Sequence, residues 1–198
     1  ITAIGTMMVQ SSLNILGSYA VAAFTAGSKI ESIFTQAFVA IGTAMSTYNA
    51  QNIGARKLDR VRKGFRSADV IGCTYGVLVG FILFFVGKYF AYLFISDNAE
   101  VVIPMVETYL QCVGMFMIPL YVVNSYRNGF QGMGYGLLPM LSGVAELVGR
   151  GIMAIVASNK KSYTMACMAS PFAWIVATVL LIGLYFYVMK DMKKKLCL

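Results

Sequence analysis

Glu31, Glu107 and Glu146 interrupt stretches built otherwise of Ile, Phe, Val, Ala and Met, and each has polar residues at helical spacing beside it. From Glu31, the positions Thr35, Val39, Gly42, Ser46 and Asn49 recur at steps of three and four, which puts small and polar side chains on one stripe of a helix. Glu107 shares a face with Gln111, Gly114 and Tyr121, and Glu146 precedes Arg150 by four residues, the favourable order for an ion pair on one helix. An ionised side chain in hydrocarbon costs about 2.5–3.5 kcal/mol even on insertion scales, so it faces a cavity or a partner. The chemistry open to these groups is proton exchange, attraction of a cation and ion pairing. Glu31, Thr35, Asn49, Glu107, Gln111, Tyr121, Glu146 and Arg150 are accordingly the candidates for a substrate or ion pathway.

Each candidate has a structural alternative. The stripe from Glu31 serves equally as a close helix contact through small residues. Lys29 lies nearly opposite Glu31 on the helix and does not neutralise it within its own turn. Pro119 removes one backbone hydrogen bond in the middle of its segment and is expected to bend it, which suits a gating helix and is also tolerated in any membrane helix. For Glu146 and Arg150 the preferred reading is mutual neutralisation, because an intact pair leaves no free charge to exchange with an ion.

Other chemistries lack their residues. The chain has no histidine, no paired carboxylates at matching positions, and four cysteines, Cys73, Cys112, Cys167 and Cys197, without metal-type spacing. Neither an enzyme nor a metal cofactor is expected. Gly129, Gly132, Gly134 and Gly136 superficially resemble a phosphate loop, but no strand precedes them and no lysine follows, so they read as a tight turn. Tyr89, Tyr92, Tyr163 and Tyr187 fall near segment ends, as interfacial aromatics do, while Tyr48, Tyr75 and Tyr121 are placed where they could stack on a cationic ligand.

The elements that must position these groups are membrane helices. Hydrophobic residues make up 59% of the 198 residues and charged residues 12%, about half the charged fraction of a soluble domain. Apolar segments run from about Ile1 to Leu16, Ala20 to Ala50, Ala68 to Ile95, Val101 to Tyr126, Leu137 to Ala157 and Tyr163 to Met189. A bilayer span takes roughly 20 residues, so six helices consume nearly the whole chain and predict a single all-α, six-transmembrane-helix bundle embedded in the lipid bilayer. Arg56, Lys57, Arg60, Arg62, Lys63 and Arg66 place six of the sixteen basic residues within eleven positions. With Arg127 and with Lys190, Lys193, Lys194 and Lys195, they fall on one side of the bundle, against Lys88, Lys160 and Lys161 and the acidic break Ser96-Asp97-Asn98-Ala99-Glu100 on the other. That excess puts the basic run and both ends of the segment at the cytoplasmic face and makes the run a topological anchor, drawn to anionic lipid by about 1 kcal/mol per charge. The net charge of +8 thus reflects membrane topology, and nucleic acid is not an expected partner.

The anchor is preceded by Gln51-Asn52-Ile53-Gly54-Ala55, in which Gly54 stands where a helix is expected to close. Together with Leu13-Asn14-Ile15-Leu16-Gly17-Ser18, Ala22-Ala23, Gln131-Gly132-Met133-Gly134 with Pro139, and Ala169-Ser170-Pro171-Phe172-Ala173-Trp174, this ending resembles the second lobe of the multidrug and toxic compound extrusion (MATE) transporters. The resemblance covers the whole chain and implies helices seven to twelve of a twelve-helix protein, with the N-terminal lobe as its missing partner. It further implies a plasma-membrane secondary antiporter that exports small amphipathic or cationic compounds in exchange for protons or sodium ions. A lipid-linked oligosaccharide flippase of the same superfamily and a homo-oligomeric pore are the alternatives. Sodium-coupled members carry carboxylates in the seventh and tenth helices; here the first segment has none and the fourth has only Glu107. Asn159-Lys160-Lys161-Ser162 stands where the resemblance leads one to expect glycines and no charge. The start at Ile-Thr-Ala, without Met, reads as that of a fragment.

This topology is testable in intact cells, in a background lacking the native cysteines. Single cysteines at Lys57 and Lys194 are expected to be protected from an impermeant thiol reagent, and one at Asn98 to react; the opposite pattern would invert the lobe.

Overall fold

The computed structural model describes residues 2–93, 95 and 98–196, and among these every regular element is helical. Ser96 and Asp97 of the expected acidic break, and Cys197, lie outside the described residues. The helices are α1 (Thr2–Leu16), α2 (Ser18–Gly54), α3 (Leu58–Ala91), α4 (Ala99–Gly114), α5 (Met117–Gly132), α6 (Leu137–Lys160), α7 (Tyr163–Cys167) and α8 (Ala169–Lys195). They form six rods, because α4 and α5 are two halves of one rod bent by 55° and α7 runs into α8 through Met168. The chain is an all-α polytopic membrane protein. By length and composition α3, α6 and the α7–α8 rod can each cross a membrane, and the bent α4–α5 rod makes a fourth if it is one span. The remaining rods are α1, with 15 residues, and α2, the longest helix, which carries the polar stripe.

The bend follows from Pro119. Its ring nitrogen has no hydrogen for the Met115 carbonyl, and the helix breaks at Met115 and Phe116, one turn before the proline. The bend expected from the sequence is present and is sharp enough to make two helices.

Three local expectations change. The basic run is no loop: only Arg56 and Lys57 lie in the connection, and Arg60, Arg62, Lys63 and Arg66 sit in the first turns of α3. At 1.5 Å per residue the 34 residues of α3 extend roughly 51 Å, well beyond a hydrocarbon core of about 30 Å, so these turns project past the lipid tails. Gly54 does not close α2 by a left-handed turn. That conformation falls on Arg56, at φ 56°, whose N–H bonds the Ile53 carbonyl at 2.9 Å while the Lys57 N–H reaches the Asn52 carbonyl at 2.8 Å. The four glycines expected to form one inner turn also divide: Gly129 and Gly132 lie within α5, and only Gly134, at φ 87°, takes a turn conformation closed to most side chains.

Two groups of rods pack side by side. α2, α3 and the α4–α5 rod enclose the larger core around Phe38, Phe65, Leu83, Leu110, Tyr121 and Phe130, while α1, α6 and α7 close a smaller one around Val9, Leu13, Ala154 and Ala166. α8 lies against both α5 and α6 and joins the groups. Outward-facing side chains such as Val70, Leu78, Phe81, Phe85, Val179 and Phe186 are exposed, as a surface solvated by lipid tails requires.

The tightest seam runs between α2 and α5. A Cβ on Gly132 would come within 2.0 Å of the Ser46 carbonyl oxygen, and one on Gly42 within 2.9 Å of the Asn124 carbonyl oxygen. Both obstacles are backbone, so neither can step aside. Gly132→Ala is therefore expected to destabilise the fold by at least about 1–3 kcal/mol, read as a fall in melting temperature in detergent. Gly54→Ala, with nothing within 4 Å of its new Cβ, serves as the control and should leave the melting temperature unchanged or slightly raised.

Candidate functional site

A chain of charged groups crosses the interior from α4 through α2 and α6 to α5. At one end the Tyr109 hydroxyl of α4 donates to Glu31 Oε2 on α2. Arg150 of α6 lies within electrostatic reach of Glu31. One turn earlier on the same helix, Glu146 accepts from Arg150 Nη2 at 3.3 Å. The other carboxylate oxygen of Glu146 accepts from Arg127 Nη2 of α5, whose Nε donates to Ser142 Oγ at 3.0 Å. Ser142 passes its own hydroxyl hydrogen to the Pro139 carbonyl at 2.6 Å.

The helices put these groups within reach in simple ways. Glu146 and Arg150 share a face of α6 because four residues make about one turn. Arg127 arrives because α5 packs against both α6 and α8. Only 4% of the Glu146 side chain and 13% of Arg150 are exposed, so the charges are almost wholly removed from solvent and must satisfy one another. Here the expectation of a self-contained Glu146–Arg150 pair is corrected. Arg127 was assigned to the inner break on sequence grounds, yet it is a half-buried residue of α5 and gives Glu146 a second guanidinium. One carboxylate between two arginines carries a net positive charge, and Glu31 is the group that balances it. The Arg150 Nε is buried without a hydrogen-bond partner among the described residues, so this arginine is only partly engaged.

The stripe from Glu31 divides in its role. Its later part is packed: Gly42 meets Asn124 and Asn128, Ser46 meets Gly132, and Asn49, fully buried, donates to the Gly129 carbonyl at 3.1 Å. Close helix contact, the alternative reading, describes this half. Thr35 is half-buried and bonds back to the Ser32 carbonyl at 3.3 Å, and Lys29 is exposed on the far side of α2. Glu107 and Gln111 lie half-buried on α4, but the residue of that helix that meets Glu31 is Tyr109, between them in sequence.

Tyr121 does not offer its ring to a ligand in this structure. It has no exposed surface, its ring lies against Phe38 and the Gly72 backbone, and its hydroxyl donates to Asp69 Oδ1 at 3.2 Å. Tyr126 donates to the other oxygen of Asp69 at 3.0 Å. Tyr75 spends its hydroxyl on the Phe34 carbonyl and Tyr48 on that of Arg60. Asp69 was invisible as a site in the sequence because it is the second residue of the apolar segment read from Ala68 and passes for the polar end of a span; the helix in fact begins eleven residues earlier. Among the described residues no three His, Cys, Asp or Glu side chains gather as a metal site.

The family model for MatE matches residues 1–157 of this chain. The chain is also similar to the probable multidrug resistance protein YpnP of Bacillus subtilis (strain 168), at 30% identity over 137 residues. That alignment takes in 69% of this chain and 30% of the length of YpnP, so the chain spans well under half of that relative.

The charge arrangement orders the consequences of removing its members. Glu146→Gln leaves a buried and a half-buried guanidinium without their shared counter-charge and is expected to cost about 3–5 kcal/mol of stability. Arg127→Gln leaves the Glu146–Arg150 pair intact and should cost less. Thermal unfolding in detergent measures both, and equal losses would contradict a central role for Glu146.

Proposed function

The chain belongs to the MatE family, and from that premise we propose that it forms one lobe of a secondary active multidrug efflux antiporter, exporting amphipathic or cationic compounds in exchange for protons. The lobe is a multi-pass unit of the cell membrane with its basic run at the cytoplasmic face, and it works against a second lobe, the substrate lying between the two. The relative's description as a multidrug resistance protein supports the substrate class.

The observation that carries the coupling is the balance between Glu31 and the three charges beyond it. With Glu31 ionised, Arg127, Glu146, Arg150 and Glu31 together are neutral, and a cation can approach the wall they form. A proton on Glu31 leaves that wall positive and opposes a cation. Proton and cationic substrate then exclude one another, which is what exchange requires: each ligand favours a different state of the same element. A metal ion is less suited to this carboxylate, because a phenol hydroxyl donates to it and a guanidinium lies within electrostatic reach. Sodium therefore ranks behind the proton as coupling ion.

Glu31→Gln tests this in the full-length transporter. The amide mimics the permanently protonated state, so efflux of a fluorescent amphipathic cation from vesicles should fall by roughly 10-fold and lose its dependence on pH. The Gln variant should keep normal expression, because it removes a negative charge only from the partly exposed end of the network. Efflux that retains the wild-type pH profile would assign Glu31 to structure and remove it from coupling.

A further inference from the structure

We propose that the groove between the first turns of α3 and the last turns of α8 binds the headgroup of an anionic phospholipid, with its acyl chains lying along the apolar stripes that continue up both helices. This does not depend on the transport reading. The groove has a volume of about 460 Å³ and is lined by four cations from segments far apart in sequence: Arg62 and Arg66 on α3, and Lys190 and Lys193 on α8. Among the described residues no carboxylate lines it. Asp59 approaches Arg62 only at 3.7 Å from the first turn of α3 and is 91% exposed, and Asp191 is turned away to Tyr135 and Lys195. Four like charges converging on one groove repel one another unless an anion fills it. Tyr185 forms its floor, fixed in place by ring contacts with Phe65 at 5.3 Å and Tyr126 at 5.6 Å.

The identity of the anion follows from what lies above the charges. At helical steps from Arg66, α3 presents Val70, Val77 and Phe81, which are 69%, 45% and 60% exposed. From Lys190, α8 presents Phe186, Ile182 and Val179, which are 68%, 43% and 67% exposed. Both helices thus change from cationic to bare apolar surface within a turn, matching a molecule that is anionic at one end and hydrocarbon at the other. Free phosphate would match only the first half, and a zwitterionic headgroup brings a cation of its own into the cluster. Basic pockets between membrane helices recognise anionic headgroups by this same combination.

The remainder of the basic run supplies the control. Arg56 and Lys57 lie in the connection before α3, outside the groove, and removing them alters net charge as much as removing two groove residues. The intact protein purified in detergent is titrated with phosphatidylglycerol or phosphatidylcholine, and bound lipid is counted by native mass spectrometry. Phosphatidylglycerol is expected to bind and phosphatidylcholine not. Combining Arg62→Gln with Lys190→Gln should weaken phosphatidylglycerol binding by about 30-fold, and the second pair across the groove, Arg66→Gln with Lys193→Gln, should do the same. Arg56→Gln with Lys57→Gln should leave binding near that of the unaltered protein. Equal losses from groove and control pairs would reduce the effect to diffuse surface charge and overturn the site. Displacement of the lipid by millimolar inorganic phosphate would overturn its assignment to a lipid.

Discussion

The seam between α2 and α5, where Gly132 lies against the Ser46 carbonyl and Gly42 against Asn124, is the contact from which the polar interior of this bundle is built. Helices in lipid gain nothing from burying apolar surface against one another, since the tails outside are equally apolar; they gain from close packing and from polar groups that find partners. Two glycines on opposite helices let the backbones approach, and the approach brings Asn49 to the Gly129 carbonyl. Once α5 is held at that distance, Arg127 is carried toward α6 and Tyr121 and Tyr126 toward Asp69 on α3. A larger residue at either glycine would displace all of these together.

The bend at Met115 and Phe116 lets the same rod grip α2 a second time. A straight continuation of α5 would carry α4 along one line, whereas the 55° bend redirects it so that Tyr109 meets Glu31 far from the α5 seam. α2 is thus held by close packing in its later half and by a phenol–carboxylate contact earlier, where Thr35 and Glu31 keep some exposure. This division has a mechanical meaning. The packed half ties α2 to α5, and the half with Glu31 is where a change of charge can be felt by α4 and α6 together, because Tyr109 and Arg150 lie on those helices.

How much of this was legible in the sequence depended on the range of the interaction. The rods followed from apolar runs and their breaks, and the bend from a proline whose missing donor acts within one turn. The pairing of Glu146 with Arg150 was equally readable, being four residues apart on one helix. Arg127 was not, because it reaches Glu146 across nineteen residues and a turn, and its position near an expected span end made a loop charge the simpler reading. Asp69 escaped for a related reason: α3 begins at Leu58, inside a stretch so basic that it resembled a connection. Polarity marks where a helix leaves the hydrocarbon, and the helix itself continues. The end of α2 at Gly54 was equally legible, but its left-handed turn was not, because it falls two residues later on Arg56, whose side chain is exposed.

The long basic start of α3 therefore has two physical consequences that sequence order merges and the fold separates. As a block of charge it fixes which side of the membrane this end occupies, an effect indifferent to the direction in which each side chain points. As turns of a helix it distributes those charges around an axis, so that Lys63 lines a groove with Tyr48 on the α2 side while Arg62 and Arg66 face α8. Only the second effect creates local recognition, because it brings charges from the two ends of the chain's latter two-thirds to one groove beside bare apolar surface. A helix that stopped at the membrane boundary would keep the first property and lose the second. The extension of α3 past the hydrocarbon is what gathers part of a topological signal into the cationic groove proposed to hold an anionic headgroup.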